Sequence, residues 1–268
     1  MSIEYDRSMK AYCQVCLDAY DEQEVFDKFR QHPDYTRVLE NTTVEQASED
    51  LKIINKSHDG LVTKLISSIL GSDCYGNGLM YGLDLGYGYQ VTACPSTLRY
   101  IRILLDIERH FNFTSHLPHG HGFEGKNICE IGVGYGGQCR VITDYWPFIN
   151  SYTLVDLLPP LLLANKYLDH YKTTSKLKYL TRQLLKDREY DLVISNYAFS
   201  EFTYDLQNAY LEKILLESKR GYMIYNQPKE KRGYNKEEIV EMIPGARILD
   251  EAPLTVNKCY VVIWGDSK

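Results

Sequence analysis

Glu130 stands two residues before Gly132 in Lys126-Asn127-Ile128-Cys129-Glu130-Ile131-Gly132-Val133-Gly134-Tyr135-Gly136-Gly137, an apolar run that ends in an acid and enters a glycine-rich turn. Residues without Cβ accept positive φ and let a ligand meet bare backbone, and a following helix offers unpaired N–H groups at its start. The chemistry implied is recognition of an adenosine-containing cofactor. Gly132, Gly134 and Gly137 also satisfy the dinucleotide spacing G-x-G-x-x-G, with Asp156 at the offset of about 20 residues where a carboxylate meets ribose hydroxyls. A diphosphate gains nothing from the nearby Glu130. A cationic ligand does, because opposite charges a few ångströms apart in a partly dry cleft attract by on the order of a few kcal/mol before desolvation.

Stepping along the chain, these residues need strands to hold them. From Gly125 onwards short apolar runs alternate with amphipathic ones, which predicts an α/β, doubly wound sheet with strands near 127–131, 152–155, 177–180, 192–195, 221–225, 246–249 and 258–264. Helices are expected near 137–145, 160–171, 204–218 and 236–242. The preceding residues read as mostly helical, with Val44, Ala47, Leu51 and Ile54 at helical spacing and Leu98, Ile101 and Leu105 on one face. Residues 71–88, rich in glycine and tyrosine, are expected to form a break that serves as a substrate loop or lid. The domain reading is 1–115 for a helical assembly and lid region and 116–268 for the cofactor-binding domain.

Ligands in such sheets bind beyond the carboxyl ends of the strands at the topological switch point. Asp156 would accept both ribose hydroxyl protons and Leu157 would pack on adenine, the competing role for Asp156 being a helix N-cap before Pro159-Pro160. After the fourth strand, Asn196 would hydrogen-bond the cofactor, Tyr197 and Phe199 would wall the transferred group, and Glu201 would face the acceptor. The bland reading of Glu201 is an acid in the first turn of a helix, where the dipole favours it.

Composition narrows the partners. A net charge of −6 gives no footprint for phosphate backbones or anionic membranes, and no long apolar run or hydrophobic leader is present, so a cytoplasmic protein is expected. Seven scattered cysteines fit reduced thiols, and Cys13 and Cys16 have no second pair with which to hold zinc. His116, His119 and His121 share one loop without a metal role being assigned. The 23 tyrosines exceed ordinary usage and read either as compositional bias or as a polar pocket lining.

Glu130-x-Gly132-x-Gly134-x-Gly136 resembles the first motif of class I S-adenosylmethionine-dependent methyltransferases, in which the acid helps anchor the methionine end of the cofactor. Together with residues 191–201, Gly221-Tyr222-Met223-Ile224-Tyr225-Asn226-Gln227 and Pro95-Ser96-Thr97-Leu98-Arg99-Tyr100, the chain from Gly88 to its end resembles the sugar O-methyltransferases. The resemblance implies a seven-stranded Rossmann-like methyltransferase sheet, S-adenosylmethionine as methyl donor, and a saccharide or glycosylated small molecule as acceptor. Motif and strand-end positions together make Glu130, Gly132, Gly134, Tyr135, Gly136, Asp156, Leu157 and Asn196 the expected cofactor residues. Methyl transfer needs an acceptor oxygen held in line and a base for its proton. Glu201 is the first candidate, with Tyr197 beside it and His119 as an alternative. Tyr87, Arg99 and Phe199 are the substrate-side candidates. Some sugar methyltransferases hold a divalent metal on clustered aspartates, and no such cluster follows the fourth strand. Two further readings stay open: a nucleic-acid base methyltransferase, since Asn196-Tyr197-Ala198-Phe199 distantly resembles an Asn-Pro-Pro-aromatic motif but lacks both prolines, and a catalytically silent cofactor-binding module whose amino-terminal helices serve homo-oligomer assembly.

Overall fold

A computed structural model describes residues 3–56, 67–86, 89–112, 123–186, 189–226, 232–254 and 259–265. The chain forms two compact units, one of residues 1–106, 134–145 and 158–172, the other of residues 107–133, 146–157 and 173–268. The units therefore do not part at a single point such as 115/116. Two helices that follow sheet strands pack with the amino-terminal helices, and this makes both units discontinuous.

In the first unit, α1 (Ile3–Asp21) buries Tyr12, Val15, Cys16 and Ala19, a stripe at three- and four-residue spacing. Its last turn holds no basic residue. Lys166, from a helix far along the chain, donates instead to the Ala19 and Tyr20 carbonyls at 3.0 Å each. The next long helix, α2 (Val44–Lys56), buries Ala47, Leu51 and Ile54 as their spacing predicts, and starts at a reciprocal cap between Thr43 and Gln46. The expected break over 71–88 contains β1 (Tyr81–Gly86), which pairs as an antiparallel hairpin with β2 (Tyr89–Ala93) just past it, with Leu83 buried. Its glycines and tyrosines hide the alternation that would have marked a strand. Then α3 (Pro95–Phe111) begins on a proline, which suits a first turn, and buries Leu98, Ile101 and Leu105.

Much of the tyrosine excess is core. Tyr35, Tyr135 and Tyr167 are buried and meet Phe29, Tyr100 and Tyr171 edge-on or tilted, at centroid separations of 4.8 to 6.5 Å.

The sheet follows in chain order as β3 (Asn127–Ile131), α4 (Gly137–Tyr145), β4 (Ser151–Val155), α5 (Leu158–Leu168), β5 (Lys176–Leu180), β6 (Leu192–Asn196), α6 (Tyr204–Tyr210), β7 (Gly221–Asn226), α7 (Lys236–Met242), β8 (Arg247–Asp250) and β9 (Cys259–Trp264). Spatial order is β5-β4-β3-β6-β7-β9-β8, with β9 antiparallel to both neighbours and the other described pairings parallel. This is the expected seven-stranded, doubly wound sheet, with one antiparallel strand inserted near its edge. An all-parallel dinucleotide sheet has no such inserted antiparallel strand. Strand order reverses beside β3, so the switch point falls between β3 and β6.

On one face Cys129, Ile131, Val193, Met223 and Val262 pack with Tyr210, Ile214, Ile239 and Ile243. The helix expected over 204–218 stops at Tyr210 and passes into a π-turn, Leu211–Leu215. A full capping box of Asn235 and Glu238 starts α7. No described helix is long and apolar enough to cross a membrane.

Candidate functional site

The residues at the carboxyl ends of β3, β4, β6 and β7 carry the chemistry of the sheet unit. Ser195, fully buried near the end of β6, donates from Oγ to the Ile131 carbonyl at 3.0 Å and accepts from the Phe199 N–H at 3.2 Å. That one hydroxyl ties the end of β3 to the turn after β6. Gly132 takes φ +78°, and a Cβ there would stand 2.1 Å from the Ala198 Cβ. A side chain at Gly132 is thus excluded by backbone conformation and by the β6 turn together.

Glu130 is 2% exposed, and the Tyr152 hydroxyl donates to its Oε2 at 2.7 Å. The pairing is diagonal, because Glu130 stands opposite Leu154 in the β3–β4 register, two residues beyond Tyr152. Burial pushes the Glu130 carboxyl up to about 8; the Tyr152 bond opposes that rise and the Asp156 carboxylate adds to it. Near neutral pH the group therefore carries its proton, and an arriving cation would draw it into ionisation.

Asp156 follows β4 directly, half-buried, with Oδ1 accepting from the Leu157 N–H at 2.7 Å. The helix α5 begins at Leu158, so Asp156 stands one residue before the cap position, and its bond to the adjacent N–H is not that of an N-cap. Leu157 is 52% exposed, and Leu184, in the 3₁₀ turn after the neighbouring β5, is 57% exposed. Two large apolar side chains thus face outwards where the strands end.

After β6, Tyr197 has φ +69°, a region a bulky residue enters only when its surroundings hold it there. Its N–H donates to the Ile224 carbonyl at 2.9 Å and its hydroxyl to Glu251 Oε1 at 2.9 Å, with Glu251 2% exposed. Glu201 lies in the 3₁₀ turn Phe199–Glu201, its Oε1 accepting from Asn226 Nδ2 at 3.2 Å, while Asn226 Oδ1 accepts from Ser200 Oγ. Asn226 closes β7 just as Asn196 closes β6. Tyr152, Ser195 and Asn226 were not singled out from the sequence. Only Ser195, a hydroxyl in an otherwise apolar strand, carried a local signal.

Some expected roles change. The Phe199 ring, assigned to the wall of the transferred group, is 1% exposed and lies in the core near Phe202 and Tyr225, because the turn after β6 points it inwards. In the first unit, the Tyr135 ring is taken up by the aromatic core, which leaves only its backbone for a ligand. Gly134, at φ +55°, has Leu39 Cδ1 2.5 Å from where a Cβ would be, and Gly136, at φ +86°, has Leu168 at 2.9 Å. Arg99 is 6% exposed and donates from Nη2 to Gln46 Oε1 at 3.1 Å. His119 and Tyr87 lie outside the described residues. All seven cysteines are free thiols. Among the described residues, no three His, Cys, Asp or Glu side chains converge to hold a metal ion.

No protein-family model matches the chain, and no curated protein matches it. Among solved structures it is similar to an S-adenosylmethionine-dependent methyltransferase from Clostridium acetobutylicum, at 12% identity over 63% of this chain and 92% of that one, with a TM-score of 0.46. It is also similar to the mitomycin 7-O-methyltransferase MmcR, at 15% identity, 63% and 57% coverage and a TM-score of 0.42. A third structure, PigF with SAH, matches at 13% identity, 52% and 50% coverage and a TM-score of 0.41. The chain thus spans 50% of PigF and 57% of MmcR.

Proposed function

We propose that the chain is an S-adenosylmethionine-dependent O-methyltransferase whose acceptor is a hydroxyl of a sugar or of a glycosylated small molecule. The observation that carries the reading is Glu130, a buried carboxyl at the end of the central strand, immediately before a positive-φ glycine turn and one strand away from Asp156. A site for a dinucleotide diphosphate has no use for that acid. A ligand with an ammonium, a sulfonium and a ribose uses both. On this reading Glu130 serves the methionine end, Asp156 the ribose diol, Leu157 and Leu184 the adenine faces, and Asn196 the cofactor's polar edge. The backbone of Gly132, Gly134, Tyr135 and Gly136 completes the turn. The bound cofactor supplies an electrophilic methyl group, and the protein's part is to orient the acceptor and accept its proton.

Glu201 is the proposed base. Asn226 fixes one of its oxygens and is itself held by Ser200, so the carboxylate enters the reaction already oriented. Tyr197, held strained beside it, would position the acceptor, and His119, Arg99 and Tyr87 remain candidates on the substrate side. Seven free thiols support a reducing, cytoplasmic setting, and the charge of −6 argues against a nucleic-acid acceptor.

Calorimetric titration with S-adenosylhomocysteine tests the reading, with Asp156→Ala and the nicotinamide cofactors as controls. Micromolar binding that weakens at least about tenfold in Asp156→Ala, as loss of charge-assisted hydrogen bonds demands, is the expected result. Preference for a nicotinamide cofactor would overturn it.

A further inference from the structure

The amino-terminal unit holds a second polar centre, built around Arg30. This side chain is wholly buried, and every guanidinium nitrogen is engaged: Nε with Glu40 Oε1 at 2.6 Å, Nη1 with Asp73 Oδ1 at 2.7 Å, Nη2 with Cys94 Sγ at 3.0 Å and Ser96 Oγ at 3.3 Å. Asp73, equally buried, also meets Arg140 Nη1 at 3.3 Å and accepts from Thr97. Two guanidinium charges thus face two buried carboxylates, with the more exposed Asp144 3.7 Å from Arg140 Nε. With Asp144 counted, three carboxylates face two guanidinium groups, so the centre has no excess positive charge with which to attract an anion.

Against it lies a cavity of about 40 Å³, lined by Arg30, Glu40, Thr42 and Cys94 together with Leu79, Tyr81 and Pro95. Glu40 sits at φ +58°, a conformation costing a residue with a side chain about 1–2 kcal/mol. The strain aims its carboxylate into the cluster, where Oε2 accepts from Ser96 Oγ at 2.6 Å. A carboxylate has about four acceptor positions; Arg30, Ser96 and, at 3.5 Å, the Cys94 thiol use three of them, so Glu40 retains one for another donor. Arg30 has its nitrogens occupied, which disfavours a phosphate or carboxylate ligand. An ammonium would meet the Arg30 charge at short range, which disfavours a cation. A hydroxyl satisfies both conditions: it donates to Glu40 and exchanges a bond with Thr42. The volume suits one such group. At the rim Tyr81 is 37% and Leu79 49% exposed, apolar surface of the kind that packs on the C–H face of a sugar ring.

The geometry points to a neutral-sugar subsite in the amino-terminal unit, in which Glu40 and Thr42 hold one hydroxyl or hydroxymethyl group and Tyr81 packs on the ring. Its link to catalysis rests on the transferase reading; sugar binding itself does not.

The test is saturation-transfer NMR on the full chain with methyl α-D-glucopyranoside, methyl α-D-galactopyranoside and methyl α-D-xylopyranoside, the last lacking the hydroxymethyl group. Transfer to at least one probe is expected, falling at least about fivefold in Thr42→Val and in Tyr81→Ala, the equivalent of one modest hydrogen bond or ring contact. Both variants leave the Arg30–Glu40 pair intact, and an unchanged thermal unfolding curve followed by circular dichroism reports that they fold. No transfer to any probe from the wild type, or transfer untouched by both substitutions, would overturn the subsite. Sugar transfer without S-adenosylhomocysteine binding would remove the transferase reading and leave the subsite standing.

Discussion

Replacing Glu130 by glutamine keeps an oxygen to accept the Tyr152 hydroxyl and removes only the capacity to ionise. With the folded carboxyl raised from 4.5 to about 8, both folded and unfolded chains hold the proton below pH 4.5, and no effect is felt there. Between pH 4.5 and about 8 the unfolded chain releases a proton that the folded chain retains, so wild-type stability falls as pH rises, by about 1.4 kcal/mol per pH unit. The full penalty, reached near pH 8, is about 5 kcal/mol at most. Glutamine escapes this slope but buries an extra amide donor, at a pH-independent cost of about 1–3 kcal/mol. The two stability curves should therefore cross, wild type leading at pH 5 and Glu130→Gln at pH 8. Urea unfolding followed by the fluorescence of the buried Trp146 and Trp264 at four pH values measures both curves. Parallel curves would refute the argument. A second arm uses the ligand: calorimetry of S-adenosylhomocysteine at pH 7 in two buffers of different ionisation heat should show about one proton released by the wild type and none by the variant. Equal proton counts would mean that no ligand ammonium draws Glu130 into ionisation.

Three other substitutions probe the reaction, the buried charge cluster and the glycine turn. In Glu201→Gln, turnover should drop by about 10²–10⁴ while S-adenosylhomocysteine affinity holds; wild-type turnover would remove Glu201 from the mechanism. Asp73→Asn leaves two buried guanidinium groups without their shared carboxylate and should cost about 3–5 kcal/mol in urea unfolding. A loss below about 1 kcal/mol, the range of exposed pairs, would mean that the cluster is looser than described. Gly132→Ala combines a left-handed backbone with a methyl driven into Ala198, and should cost about 2–4 kcal/mol. Adding Ala198→Gly should restore part of that in a double-mutant cycle, and no restoration would exclude the contact.

Where local pattern and tertiary outcome agree, the sequence was readable. The strands at 127–131 and 192–196 are apolar runs that end in a glycine turn or a polar cluster, and the helix Lys236–Met242 announces itself through Asn235 and Glu238. The hairpin of Tyr81–Gly86 and Tyr89–Ala93 was not readable, because glycine and tyrosine mask its two-residue period. Phe199 went astray for a different reason. Beyond the end of a strand, alternation no longer says which way a ring points, and the turn sent it into the core. The Arg30 centre was out of reach altogether. Its partners lie 10, 43 and 66 residues away at Glu40, Asp73 and Ser96, and no local periodicity links a charge to partners so spaced. At Gly132 and Gly134 the residue type was legible but its reason was incomplete, since protein side chains, Ala198 and Leu39, stand where the missing Cβ atoms would be.

The way the units share the chain bears on how the protein can be made and recombined. A ribosome that has finished residue 115 has not yet delivered Gly137–Tyr145 or Leu158–Leu168, two helices of the amino-terminal unit. By the time residue 172 emerges and that unit is whole, β3 and β4 of the other already exist. Neither unit is a cassette, and truncation after residue 115 would strip the amino-terminal helices of helical partners, including the Lys166 ammonium that caps α1. Exchanging the first 115 residues between divergent homologues would likewise mismatch helices that remain encoded downstream. Variation in the amino-terminal unit is therefore expected to be inherited in three stretches of sequence at once.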